Sequence, residues 1–316
     1  MQIAIDTPTP GVGRPAPDKP NWRDIFYTSR DGLRLHARHY PAPVSSRRSA
    51  LCLPGLTRNV RDFHALASHL SDASHPSSRD VYAVDYRGRG RSAHDPDWRN
   101  YAIQVETLDI LDFMTLAGVH DAALIGTSRG GLIAMIMATM RPASIGAVVL
   151  NDIGPVIERD GLARIVAYAG RIPLPSSWAE AAMLAHDLNK RHFPAVPAQR
   201  WADVARQWFD DVNGQPAHSY DQNLAKAISV LDGPVPSLWP QFEALSIVPT
   251  LAIRGKLSDV LSEATLYQMC VRHPRLQTLL VSGQGHAPLL LDLETQAAIA
   301  DFLAASDAGV QTRRRM

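Results

Sequence analysis

The sequence has little cysteine, no long hydrophobic run and almost no net charge, and each shortage excludes something. Two cysteines among 316 residues, Cys52 and Cys270, cannot build the disulfide framework that small secreted domains need, so both are expected to be reduced. The longest apolar run, residues 131–138, falls far short of the roughly 20 residues that span a bilayer. Lys and Arg number 32 against 31 Asp and Glu, which leaves no field to draw a polyanion or an anionic membrane as a primary partner. The basic cluster at positions 313–315 reads as a solvated tail. There is no paired Cys-x-x-Cys and no His-Glu-x-x-His, so no metal site and no cofactor are expected. Residues 1–20 lack the basic-then-apolar pattern of a secretory signal. They are polar and Pro-rich, which predicts a flexible leader and a cytoplasmic protein. No internal repeat is visible.

What is present is the composition of a globular protein, 46% hydrophobic and 20% charged, with length for one large domain or for one domain with a substantial insertion. Residues 24–28 and 33–40 alternate apolar and polar around Asp31-Gly32, a hairpin signal. Short apolar runs at 50–53, 81–84, 122–125 and 145–150 read as buried strands. They are separated by helical periodicity at 63–70, 101–117 and 131–140. Strand-helix alternation of this kind predicts an α/β fold with a mostly parallel sheet covered on both faces. It stops near Asn151 and resumes with strands at 250–253 and 276–281 and helices at 263–271 and 289–303.

The intervening residues 152–240 contain no convincing strand. Their patterns predict helices at 161–170, at 178–190 behind the capping box Ser177-Trp-Ala-Glu180, at 198–210 and at 220–230. A nested arrangement follows: a core of residues 21–151 and 241–316, and a helical lid of residues 152–240 expected to select the substrate. Four of the six tryptophans, Trp178, Trp201, Trp208 and Trp239, fall in that insertion. They are expected either to wall an apolar pocket, with Trp239 assigned to substrate contact, or to form the helical layer's own core.

The strongest chemical signal is Gly126-Thr127-Ser128-Arg129-Gly130, a G-x-S-x-G pattern at a strand-to-helix turn. A nucleophile on so sharp a turn needs neighbours without side chains, and the helix that follows aims its N-terminal amides at a developing anion. A serine hydroxyl needs a base, and the base needs an orienting acid. Of the twelve histidines, His286 sits in a glycine-rich loop directly after a buried strand. Two acids follow strand ends, Asp259 and Asp152. Asp259 gives the chain order Ser, Asp, His and is preferred. Asp152 is expected to cap the turn into the insertion or to pair with an arginine, but it remains the alternative acid. Asp85 reads as a carboxylate that fixes its own loop. Arg129 and Arg58 together suggest recognition of a substrate carboxylate, with an internal ion pair as the competing role for Arg129.

With these pieces assembled, the chain resembles the α/β-hydrolase fold superfamily, in its serine esterase or lipase-like form with a helical cap. The resemblance rests on the opening hairpin, Leu53-Pro-Gly-Leu-Thr57, Asp85-Tyr-Arg-Gly-Arg-Gly-Arg-Ser92, the Ser128 elbow, the insertion, Asp259 and Gly285-His286. It implies an eight-stranded sheet and a nucleophilic Ser128 with His286 as base and Asp259 as acid. It further implies an oxyanion site from the backbone amides of Leu56 and Arg129, although Pro54 stands where the family usually has His. A serine in place of an Asp nucleophile argues against dehalogenase and epoxide hydrolase chemistry. The implied partner is a small ester or lactone, cleaved through an acyl-enzyme. A carbon-carbon bond hydrolase, a cofactor-free perhydrolase and a slow-turnover receptor remain alternatives. The oligomeric state is open, a homodimer being one option.

Overall fold

Alternating apolar and polar residues fold the start of the chain into antiparallel strands β2 (Arg23–Thr28) and β3 (Arg34–Tyr40), with Gly32 at φ +90° in the turn between them. The computed structural model describes residues 4–5, 21–43, 47–229 and 236–314, with side chains at all of these except 4, 5, 228, 229 and 309–314. The predicted leader lies outside the described residues except for β1 (Ala4–Ile5), which pairs antiparallel with β2. The expected eight strands are therefore present with a ninth, two-residue strand at the edge.

The parallel part of the fold is β4 (Ala50–Leu53), α1 (His64–Ser71), β5 (Val81–Asp85), α2 (Ile103–Leu116), β6 (Ala122–Thr127), α3 (Arg129–Met140) and β7 (Ile145–Asn151). The chain then leaves the sheet and returns through β10 (Thr250–Gly255), α9 (Glu263–Arg272), β11 (Leu276–Val281) and α10 (Leu293–Arg314). The strand order is β1-β2-β3-β5-β4-β6-β7-β10-β11, parallel from β5 onward. Both faces are buried, as the continuous apolar runs require. In β4, Leu51 and Leu53 pack with Ile110, Phe113 and Ile133 on one side. Ala50 and Cys52 pack with Leu66, Leu70 and Phe302 on the other.

Between β7 and β10 come α4 (Arg159–Tyr168), α5 (Trp178–Asn189), α6 (Arg200–Trp208), β8 (Phe209–Val212), β9 (Gln215–His218), α7 (Leu224–Ser229) and α8 (Trp239–Glu243). The Ser177 hydroxyl accepts from Glu180 N at the start of α5, as the capping box requires. The helix expected over 198–210 ends at Trp208, because residues 209–218 form a hairpin about Asn213 and Gly214, both at positive φ. The helix expected over 220–230 is shorter, and Val230 lies outside the described residues. Trp201, Val204, Phe193 and Phe209 form an apolar cluster within the insertion. Polar contacts seat the insertion on the sheet, among them Arg61 with Asp210 at 2.7 Å and Gly90 N donating to Ser219 O at 2.7 Å. Among the described residues no helix is long and apolar enough to cross a membrane.

Candidate active site

Ser128 sits between β6 and α3 with φ +50°, a strained conformation that projects its side chain off the end of the strand. The flanking glycines are required by space. A Cβ on Gly126 would lie 2.5 Å from the Gly130 carbonyl carbon, and one on Gly130 would lie 2.0 Å from the Leu53 carbonyl oxygen. Ser128 N donates to Asn151 O at 3.0 Å, which ties the elbow to the end of β7.

His286 comes to the serine from the loop after β11. Its Nε2 lies 2.9 Å from Ser128 Oγ and its Nδ1 lies 2.9 Å from Asp152 Oδ2. Asp152 is fully buried and held from three directions. Its backbone N donates to Ile253 O, Gly255 N donates to Oδ1 at 2.8 Å, and Ser258 Oγ donates to Oδ2 at 2.6 Å. The acid beside His286 is thus Asp152, and the expectation of Asp259 is corrected. Asp152 follows β7 with φ +57°, a bend that turns its carboxylate toward the sheet end. Asp259 lies further along its loop and is bound by Arg164 of α4, with Nε and Nη2 donating at 2.6 and 2.7 Å. Burial pushes the Asp259 carboxyl up, but the Arg164 hydrogen bond and charge outweigh burial and hold it below the usual range.

The loop after β4 abuts the nucleophile: a Cβ on Gly55 would come within 4.0 Å of the Ser128 Cβ. Leu56 lines the same space, and Arg129 begins α3 next to Ser128. Neither donates its backbone N–H to an acceptor among the described residues, so both amides can serve a developing oxyanion. The Arg129 side chain turns away into the core. Its Nε donates to Glu106 at 2.5 Å and its Nη2 donates to Tyr101 O at 3.0 Å, while Arg89 donates to the other oxygen of Glu106 at 2.6 Å. Burial pushes the Glu106 carboxyl up, but the two guanidiniums outweigh it and leave it lowered. Of the two roles expected for the Arg129 side chain, the structure shows the internal ion pair.

A cavity of about 360 Å³ opens above Ser128 and His286, walled by the loops and by the insertion through Ile165, Tyr168, Ile172, Phe193 and Trp208. Of the four tryptophans, Trp208 lines it. Trp178 and Trp201 belong to the insertion's own cluster. The assignment of Trp239 to substrate contact is corrected: it packs on the main core, with Phe242 beside it and the Arg272 guanidinium 4.0 Å over its ring. Arg58 does line the cavity, with its Nε and Nη2 donating to Asp62. Asp85 fixes its loop, accepting from Val60 N at 2.8 Å and Arg91 N at 3.0 Å with His36 against Oδ2 at 2.6 Å.

Two positions went unread in the sequence. Asn151 Nδ2 donates to Thr127 Oγ1 and Pro288 O, joining the serine strand to the histidine loop, and Ser258 clamps Asp152. Their signal is positional only, one residue before each of the two candidate acids. Among the described residues no group of three or more His, Cys, Asp or Glu is arranged to hold a metal ion.

Residues 51–293 match the family model described as alpha/beta hydrolase fold. The chain is 30% identical over 281 residues to 3-hydroxybutyrate-oligomer hydrolase of Cupriavidus necator, covering 85% of this chain and 92% of that protein. It is 28% identical over 235 residues to 2-(acetamidomethylene)succinate hydrolase of Mesorhizobium japonicum, covering 73% and 79%. Among solved structures, an alpha/beta hydrolase from Novosphingobium aromaticivorans superposes with a TM-score of 0.83 at 36% identity, over 90% of this chain and 98% of that one. With this sheet, this serine elbow and these relatives, the chain belongs to the α/β-hydrolase superfamily.

Proposed function

We propose that the protein is a serine hydrolase that cleaves a small carboxylic ester through an acyl-enzyme. The observation that carries this reading is the continuous array Ser128 Oγ, His286 Nε2, His286 Nδ1 and Asp152 Oδ2, with both hydrogen-bond distances at 2.9 Å, on the floor of a cavity. In the first half-reaction His286 takes the Ser128 proton as Oγ adds to the ester carbonyl. The oxyanion sits against the Leu56 and Arg129 amides, and His286 then returns the proton to the departing alkoxide. Asp152 keeps the imidazole oriented and stabilises its cation. Water, deprotonated by His286, releases the acid and restores Ser128.

The relative from Cupriavidus necator carries a name that specifies an oligomeric ester of a short hydroxy acid, so a dimer of 3-hydroxybutyrate heads the substrate panel. Short acyl esters, lactones and diketones complete it. Turnover of an ester by the native protein, with a Ser128-linked acyl group trapped at early times and both lost in Ser128→Ala, is the expected result. Turnover that survives Ser128→Ala, or activity confined to diketones, contradicts the proposal.

A further inference from the structure

Two ion-paired arginines line the wall of an otherwise largely apolar cavity, and stability gives them little reason to be there. Partly exposed pairs contribute little, and holding charges at a pocket wall carries a desolvation cost. One is Arg58 with Asp62 on the loop after β4, at 2.7 and 2.5 Å. The other joins Arg164 of α4 to Asp259 of the loop after β10. Both arginines line the cavity that holds Ser128 and His286, with 19% and 29% of their side chains accessible.

The geometry of the two pairs is the same. Each aspartate is engaged by the Nε and Nη2 edge of its guanidinium, which uses two of the five N–H donors. On Arg58 both Nη1 hydrogens and the second Nη2 hydrogen are left over; on Arg164 the Tyr168 hydroxyl takes one further hydrogen bond, and the remaining hydrogens are left over. The planes are also held against rings, Arg58 4.8 Å over Trp208 and Arg164 5.9 Å from Tyr168. A guanidinium whose plane is locked by an acid on one edge and an aromatic on its face has lost its rotamer freedom before any ligand arrives. The cavity is thus supplied with oriented cationic donors from the core and from the insertion. Arg129, the other candidate, does not line the cavity: its side chain turns to Glu106 and Tyr101.

We propose that the substrate is an ester bearing a free carboxylate, received by the remaining N–H donors of Arg58 and Arg164 while its ester carbonyl lies at Ser128. This rests on the hydrolase reading for the chemistry at Ser128, but the carboxylate subsite can be measured apart from it. Calorimetry on Ser128→Ala compares monomethyl succinate with dimethyl succinate, which differ in one carboxylate. The acid is expected to bind at least tenfold more tightly. The preference is expected to fall toward unity when Arg164→Gln is combined with Asp259→Asn, and again when Arg58→Gln is combined with Asp62→Asn. Each combination removes a cation and an anion together, so the cavity keeps its net charge, and the two are independent should one fail to fold. Equal binding of the two compounds, no binding of the acid, or a preference unmoved in both combinations overturns the proposal. Tight binding of the acid without turnover of any ester by the native protein would refute the hydrolase reading and leave the subsite standing.

Discussion

Asp152 and Asp259 follow neighbouring strands, and β7 pairs with β10 in parallel register from Val148 opposite Thr250 to Asn151 opposite Ile253. Sequence alone leaves both acids at one edge of the sheet within reach of a histidine loop. Backbone geometry separates them: the positive φ at Asp152 turns its carboxylate inward under Gly255 N and the Ser258 hydroxyl, whereas Asp259 meets Arg164. Packing against α4 holds the second arrangement, since a Cβ on Gly161 would stand 2.3 Å from the Asp259 carbonyl oxygen. Neither the bend nor that contact leaves a pattern in the sequence, which is why chain order alone pointed to the wrong acid. Asp152→Asn keeps the shape but removes the charge that stabilises the imidazolium, so kcat should drop about 10³–10⁴-fold with little change in unfolding temperature. Asp259→Asn should act on KM, with kcat within about tenfold of the native value. Steady-state kinetics on one ester distinguishes the two.

At the scale of elements, the strand-helix alternation was legible because each buried strand is a short apolar run and each covering helix shows a three-to-four period. The hairpin of β8 and β9 was not, although Asn213-Gly214 is a strong two-residue turn signal. Its flanks carry Asp210, Asp211 and Pro216, which weaken any strand pattern, and the preceding helical periodicity runs straight into them. The elbow was legible because its glycines answer a steric demand that few other residues meet. Gly130→Ala would drive a Cβ into the Leu53 carbonyl of the central strand β4, where no flexible atom can yield, and should cost more than about 3 kcal/mol. Gly118→Ala, at φ +65° with nothing within 4 Å of the added carbon, should cost only about 1–2 kcal/mol of backbone strain. Chemical denaturation of both variants measures the difference.

For the molecule as a whole, the antiparallel edge of the sheet is tied to the core by carboxylates. The Arg87 hydrogen bond holds Asp31 at about 2. Burial would raise the Asp24 carboxyl, but His36, Arg91 and Arg38 outweigh it and bring it to about 2 as well. Because both pKa values are lower in the folded state, their stabilisation is complete above the unfolded value of 3.8 and is lost as pH falls through 2. Asp109 works the other way: burial lifts it to about 6 despite Arg87, so its protonation on folding adds stability as pH falls from 6 toward 4. The thermal midpoint should therefore decline most steeply between pH 4 and pH 2, and Asp24→Asn should make that decline shallower. The sequence identified the insertion as a separate stretch but not all that it presents to the cavity: Arg164 reads as an ordinary helix residue until α4 is placed over Ser128, and among the four tryptophans of the insertion no pattern singles out Trp208. The central claim, that this cavity holds a competent serine nucleophile, is tested most directly by mass spectrometry after reaction with a fluorophosphonate probe. A single adduct on Ser128 is predicted, formed at a rate that collapses in Asp152→Asn and survives in Asp259→Asn; no adduct, or one on another residue, would contradict it.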